Sequence, residues 1–170
     1  MNPNEDVHKD INIEYSFTVS ESLKTEYKLT CKISEWLNEN LENLTDDKGD
    51  KLFSKVNFGY NEESLKGFGA KPVCDVYVNN VDYTGDFEAF PAESVHSIII
   101  FYMKGANNKA YLKACELHDY LIQEFIENRS FRHLDDTVRD TTILNSELMN
   151  QPIKKKWGVM GALELSHLLY

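Results

Sequence analysis

The sequence predicts an α+β fold in which two long helices pack on one face of a mainly antiparallel sheet of four to five strands. Residues 20–44 and 105–128 carry apolar side chains at helical spacing. Residues 94–103, 141–149 and 155–169 have the β-branched and aromatic composition or the two-residue alternation of strands. A sheet with helices on one face buries both sets of apolar side chains in a single core.

Both predicted helices carry a clear apolar stripe. The first begins after Ser20 or Ser22, whose hydroxyl can cap the first turn, and it ends at the turn residues 45–49. Its stripe contains Leu23, Tyr27, Ile33, Leu37, Leu41 and Leu44. The stripe of the second helix contains Ala110, Ala114, Leu117, Leu121 and Phe125, widened by Tyr111, His118 and Ile122. These stripes predict the helical side of the core.

The C-terminal stretch gives the clearest strand pattern. One set of side chains, Trp157, Val159, Gly161, Leu163 and Leu165, alternates with Gly158, Met160, Ala162, Glu164 and Ser166. We expect the first set to share a buried face with Leu37, Leu121 and Phe125 of the helices. A turn at residues 150–152 is predicted to connect this strand to the strand at 141–149.

Upstream strands are predicted from shorter patterns. The apolar run at residues 98–103 is typical of a central strand, and residues 73–78 are also rich in strand-forming side chains. Residues 50–72 are interpreted as an irregular connection with a short strand near Phe53–Phe58. Residues 129–140 are interpreted as a loop or a short turn of helix.

Residues 79–91 are predicted to form a long loop between two strands, because they are too many for a tight hairpin turn. The candidate interface residues in this loop are Asp82, Tyr83, Asp86, Phe87, Glu88 and Phe90. Aromatic side chains of this kind anchor protein interfaces, and long loops on rigid scaffolds often carry function.

The N-terminal residues 1–19 are predicted to form either an edge strand or an arm that pairs with a neighbouring subunit. Ile11, Ile13, Tyr15, Phe17 and Val19 alternate there with polar residues. Ile13, Tyr15 and Phe17 are therefore further candidate interface residues. Residues 20–170 are expected to form a single domain, since 170 residues suffice for one well-buried core.

Charge and composition disfavour several functional classes. The net charge is 18 − 28 = −10, so we expect no sequence-specific binding to nucleic acid, although an acidic surface can face a nucleic acid that slides past it. The longest apolar run, residues 98–103, is far shorter than the ~20 residues that span a bilayer. The N-terminus lacks the basic and apolar regions of an export signal. We therefore expect a cytoplasmic protein without membrane contact.

No catalytic, cofactor or metal site is predicted, so we expect a protein that is not an enzyme. Cys31, Cys74 and Cys115 are widely spaced, and the five histidines form no pair at metal-ligand spacing. The Gly67–Phe68–Gly69 segment lacks the further glycine of a phosphate-binding loop. Three consecutive lysines at 154–156 are interpreted as keeping a strand edge soluble, with contact to phosphate or to an acidic partner as the alternative.

The order of the predicted elements over residues 22–169 resembles the tail-terminator and tail-completion proteins of long-tailed phages and prophages. The shared order is helix, strand, long acidic loop, strand, helix and a final pair of strands. Proteins of that family form hexameric rings that cap the tail tube and dock to the head connector, and they are not enzymes. The resemblance implies a homo-hexamer with tail-tube and head-connector proteins as partners, which is cytoplasmic during assembly and then part of the virion. It also implies that residues 79–91 line the ring or its interface.

Two other classes of function remain open from the residues alone. One is a small enzyme with its site in the loops at 59–72 and 79–91. The other is a monomeric adaptor that binds a peptide along an exposed sheet edge. The oligomeric state distinguishes the ring from both.

Overall fold

The computed structural model describes residues 21–59, 71–83, 92–105, 108–153 and 156–170. Its elements are α1 (Glu21–Asn43), β1 (Lys55–Phe58), β2 (Val73–Tyr83), β3 (Ala92–Lys104), α2 (Asn108–Glu127), α3 (Arg129–Arg132), β4 (Val138–Ile153) and β5 (Lys156–Leu169). The predicted α+β class is confirmed. Two of the helices are long, as predicted, and the short strand predicted near Phe53–Phe58 is β1.

The five strands form one sheet in the order β1-β2-β3-β5-β4. Neighbouring strands from β2 to β4 are antiparallel, whereas β1 is parallel to β2. The sheet is therefore mixed. Parallel neighbours need a long crossover connection, and 14 residues, 59–72, separate β1 from β2.

Both long helices contribute to one cluster of buried side chains with the inner face of the sheet. Ile33, Leu37 and Leu41 of α1 are fully buried, as is Leu121 of α2. The strand residues in this cluster include Val76, Ile99, Phe101, Val159, Leu163 and Leu165. Most of the described stripe residues thus lie in the predicted core, whereas Tyr111 is exposed. The side chains of Leu23 and Tyr27 lie outside the described part of the chain.

The predicted phase of the C-terminal strand is confirmed by the burial pattern of β5. Val159, Leu163 and Leu165 are fully buried in the same cluster as Leu37, Leu121 and Phe125. The side chain of Trp157 lies outside the described part of the chain. The alternation therefore identified the face of β5 that contacts the helices.

The predicted loop at residues 79–91 is wrong in its first part. β2 continues to Tyr83, and residues 84–91 lie outside the described residues. The pairing with β3 shifts between Val78 and Asn80 and then continues with Asn80 opposite His96. This bulge lets two consecutive asparagines, which normally weaken a strand, remain within the ladder.

The predicted turn at residues 150–152 is also wrong, since β4 continues to Ile153 and Pro152 pairs with Trp157. Proline lacks a backbone N–H and is tolerated in edge strands. In the described sheet β4 is such a strand, because β5 is its only neighbour there. Residues 129–140 contain α3, and β4 begins at Val138, earlier than predicted.

Candidate interface at one end of the sheet

The predicted loop leaves the described fold at an end of the sheet that also contains the end of β5 and the start of β4. Tyr83 pairs with Ala92 at the opening of the loop, and Ser94 pairs with Leu168 near the C-terminus. Val138, the first residue of β4, pairs with Leu169. We call this the loop end of the sheet, and define it by these strand termini.

Helix α1 starts from the same end. The Lys32 ammonium donates to Thr137 Oγ1 at 2.5 Å and lies 3.6 Å from an Asp136 carboxylate oxygen, just before β4 begins. The Trp36 indole N–H donates to the Ser130 carbonyl at 2.9 Å. Glu21 lies 11 residues before Lys32, or about 16 Å along a helix. Residues 1–20 therefore join the described fold at the loop end.

The predicted interface residue Asp82 lies at the loop end and is hydrogen-bonded to side chains of β2 and β3. Its carboxylate accepts from Asn80 Nδ2 at 2.8 Å and from Ser94 Oγ at 3.3 Å, and it lies 3.0 Å from His96 Nε2. The Asp82 side chain remains 47% exposed. Sequence reasoning missed Ser94 and His96 as partners, because their register with Asp82 depends on the bulge.

This cluster does not have the arrangement of a nucleophile with a general base. Ser94 Oγ donates to the Asp82 carboxylate, whereas in a Ser-His-Asp site the serine hydroxyl donates to an imidazole nitrogen. The cluster instead presents a half-exposed carboxylate whose position is fixed by three donors. Such a carboxylate is suited to contact a cation or a polar partner surface.

Two tyrosines are exposed at the loop end. Tyr83, which was predicted from the sequence, is 41% exposed, and Tyr170, which was not, is 72% exposed. Tyrosine is enriched in protein interfaces because it combines apolar area with a polar group. The other predicted interface residues, Asp86, Phe87, Glu88, Phe90, Ile13, Tyr15 and Phe17, lie outside the described residues.

A buried polar cluster links three strands beneath this surface. His167 Nε2 lies 2.6 Å from Ser97 Oγ, and its Nδ1 lies 2.9 Å from Thr141 Oγ1. Since Thr141 Oγ1 donates to the Arg132 carbonyl, it accepts from His167 Nδ1–H, and Nε2 is then left to accept from Ser97. Burial lowers the pKa of His167 to about 3, so the imidazole is neutral at pH 7.

The buried cluster has the geometry of a structural hydrogen-bond network and not that of a Ser-His-Asp catalytic site. It contains a serine hydrogen-bonded to a histidine, but the third group is the hydroxyl of Thr141 and not a carboxylate. Ser97 and His167 are 0% exposed and Thr141 is 4% exposed, so a substrate has no access to the serine. The sequence analysis assigned no role to these residues, which lie 26 to 70 positions apart.

We expect the free energy of unfolding to fall by about 2 kcal/mol between pH 7 and pH 5 because of His167. Its pKa rises from about 3 in the folded protein to about 6.5 in the unfolded chain, which therefore binds the proton more tightly. The stabilisation is complete above about pH 6.5 and is lost progressively as the pH falls toward 3. Urea unfolding at several pH values measures this slope.

His167→Gln is the matched variant for that measurement. Glutamine keeps a donor and an acceptor but does not titrate, so the slope between pH 7 and pH 5 should flatten. His118 remains in both proteins, and burial lowers its pKa as well, which gives a common background slope. Equal slopes for the parent and the variant would show that His167 is not the titrating group.

An open cleft lies at the opposite end of the sheet, where β2 begins and β3 ends. Its volume is about 470 Å³, within the range typical of ligand sites. Apolar side chains in its lining include Leu52, Met103 and Leu117, and the charged ones include Lys71 and Lys113. Among the described residues of the loop at 59–72, in which the sequence leaves an enzyme site open, Lys71 and Pro72 line the cleft.

Within the described ranges, no group of three His, Cys, Asp or Glu side chains is arranged to hold a metal ion. None of the helices in these ranges is long and apolar enough to cross a membrane. No protein-family model matches the chain, and the comparison with curated proteins gave no match.

Proposed function

We propose that this protein is a structural subunit that assembles into a closed, hexameric ring, which caps a phage tail tube or joins it to the head connector. The observation that carries this proposal is that both predicted interface segments are attached to the described fold at the loop end. Residues 84–91 continue from Tyr83 there, and residues 1–20 precede the start of α1 at the same end. The element order that resembles the tail-terminator family gives the proposal its specific form.

A closed ring needs interface residues that are grouped on one surface of each copy. In a closed ring each copy binds its neighbour through two different surfaces, so the interface residues of one surface should be grouped together. The exposed Tyr83 and Tyr170 supply apolar and polar contacts at the loop end. The half-exposed Asp82 adds a fixed negative charge beside them.

The acidic composition suits a ring through which DNA passes. Residues 84–91, between Tyr83 and Ala92, hold the two acidic residues Asp86 and Glu88 and no lysine or arginine. Repeated around a lumen, these charges would repel the phosphate backbone and prevent DNA from adhering to the wall. The same charges on the outside of the ring would have no such effect. The proposal therefore includes that these acidic side chains face the lumen.

The buried position of the Ser97–His167 pair supports a non-catalytic role. A serine hydrolase exposes its nucleophile to substrate, whereas both residues are fully enclosed between the helices and the sheet. In the exposed cluster at Asp82, Ser94 donates to a carboxylate, unlike the serine of such a hydrolase, which donates to an imidazole. Neither arrangement favours the enzyme alternative.

We expect Phe87→Ala, and separately deletion of residues 1–19, to shift the protein toward monomer while the far-UV circular dichroism stays unchanged. Each change removes apolar area from a predicted interface segment and alters no residue of the described core. Sedimentation velocity at a concentration where the parent is oligomeric measures the shift. Phe58→Ala is the matched control, since Phe58 is 54% exposed on β1, away from the loop end.

If both variants sediment like the parent, neither segment forms the interface. A monomeric adaptor would then become the better candidate, and β4 is the element that favours it. The described part of this edge strand exposes Leu144 and Met149, at 51% and 38%. An extended peptide can add to such an edge through backbone hydrogen bonds.

A further inference from the structure

We propose that the lysine-rich end of the sheet, opposite the loop end, is the surface that receives the loop end of a neighbouring copy. This inference rests on the proposed self-assembly and names the second surface that a head-to-tail ring requires. We call it the lysine end. It is defined by the exposed side chains of Lys51, Lys55, Lys71, Lys104, Lys109 and Lys113.

The fold brings these lysines together from separate parts of the sequence. Lys55 opens β1 and pairs with Val73 at the start of β2, while Lys104 is the last residue of β3. The Lys71 ammonium donates to the Lys51 carbonyl at 2.9 Å. Lys71 and Lys113 line the same cleft. The result is a positively charged surface on a protein whose net charge is −10.

The loop end carries exposed carboxylates near its strand ends, and Lys28 and Arg139 also lie toward it. Asp82 and Glu93 each lie one residue inside the strand ends that border the loop; Glu93 is exposed, and the Asp82 side chain is 47% exposed. Glu93 and Lys104 lie 11 residues apart on β3, or about 36 Å. This separation is several times the screening length of about 8 Å at physiological salt. The two ends therefore act as independent charged surfaces of one molecule.

Charge complementarity identifies a second copy as the occupant of the lysine end. A head-to-tail contact places Asp82 and Glu93 of one molecule against the ammonium groups of the next, and the same contact is then repeated in every copy. Two surfaces of equal sign would instead repel one another. The opposite signs also orient the approach, because loop end against loop end is disfavoured.

The cleft gives the lysine end an apolar centre. Leu52, Met103 and Leu117 contribute apolar area to its lining, which also includes Lys71 and Lys113. An apolar centre with a charged rim is the usual composition of a protein interface. A volume of about 470 Å³ can receive an aromatic side chain such as the exposed Tyr83 of the neighbouring copy.

Acidic groups interspersed among the lysines disfavour a nucleic acid as the occupant. Asp46, Asp47 and Glu116 also line the cleft, and they would face the phosphate groups of a bound duplex. Asp46 accepts hydrogen bonds from the backbone N–H groups of Asp50 and Lys48, which lower the pKa of its carboxyl. A polypeptide with both tyrosines and carboxylates fits this mixed surface better.

Reversing the charge of either end should separate the copies. We expect Lys71→Glu/Lys113→Glu and, separately, Asp82→Lys/Glu93→Lys to weaken self-association about 10-fold or more at physiological salt. An equimolar mixture of the two variants should assemble again, because every contact in an alternating ring then joins opposite charges. Sedimentation velocity of each variant and of the mixture measures the fraction of protein in oligomers. If oligomers form again in the mixture, misfolding is excluded as the cause of dissociation in the separate variants.

Lys28→Glu/Arg139→Glu is the matched control. It changes the net charge by the same amount as Lys71→Glu/Lys113→Glu, but it adds negative charge toward the loop end, where that charge attracts the lysine end of the next copy. The control should therefore remain oligomeric. Dissociation of the control to the same extent would show that only net charge matters, and would overturn the proposal.

The remaining outcomes separate this inference from the proposed function. An oligomeric parent whose assembly is unaffected by Lys71→Glu/Lys113→Glu would overturn the lysine end as receiving surface and leave the ring intact. A strictly monomeric parent would overturn both. Loss of binding to a labelled 20-base-pair DNA duplex in that variant, with assembly unchanged, would assign the lysine end to nucleic acid and also overturn the inference.

Discussion

Replacement of Leu163 by Ala should lower the free energy of unfolding by about 2–5 kcal/mol. Leu163 is fully buried on the inner face of β5, opposite Ile99 of β3, in the cluster that both long helices contact. The variant loses the transfer free energy of the removed carbons and leaves a cavity that the fixed strands cannot close. Urea unfolding of the parent and the variant measures the difference.

Leu144→Ala is the control for this measurement. Leu144 lies on β4 and is 51% exposed, so its truncation should change the free energy of unfolding by no more than about 0.5 kcal/mol. If Leu163→Ala caused an equally small change, the inner face of β5 would carry a different set of side chains from the one described.

Gly161→Ala should destabilise the protein by about 3 kcal/mol, although it adds only one methyl group. Gly161 lies directly opposite Phe101 in the β3–β5 ladder, and an added Cβ would come within 2.1 Å of the Phe101 ring. Because Phe101 is itself fully buried, its ring has no free space into which it can move. Thermal or urea unfolding checks the size of the loss.

A second substitution identifies the cause of that loss. Phe101→Leu removes the ring that meets the new methyl group, so the double variant should be less destabilised than the sum of the two single changes. Additive losses would mean that alanine at 161 acts on the backbone and not through Phe101. The close approach to the Phe101 ring would then not be the cause of the destabilisation.

Patterns local to the sequence predicted the parts of the fold that depend on local periodicity. The stripe ending at Phe125 and the alternation from Val159 to Leu165 each indicate which side chains face the core, and both faces are buried as expected. The parallel pairing of β1 with β2 had no comparable signal, because it depends on how residues 59–72 return the chain.

Features that depend on strand neighbours were wrongly predicted. The asparagines after Val78 have turn-forming character, but the bulge allows β2 to continue past them. Pro152 indicated a turn, yet an edge position tolerates it within β4. In both places the partner strand decides the structure, and its register is not contained in the local pattern.

Of the two candidate surfaces, the sequence predicted the loop but not the lysine end, because the lysines come from distant parts of the chain. The acidic and aromatic character of the loop is visible in consecutive residues, and so it was predicted. The lysine end combines side chains from β1, β3 and α2 with Lys71, which only the fold places together. The same is true of His167, whose partners Ser97 and Thr141 lie on two other strands.

The native mass of the purified parent protein tests the central claim, self-assembly into a ring, most directly. Light scattering over a range of concentrations distinguishes a 19.7 kDa monomer from six copies, about 118 kDa. The account predicts a closed species near the larger mass that does not grow further as the concentration rises. A protein that remains at the monomer mass at every concentration would contradict it.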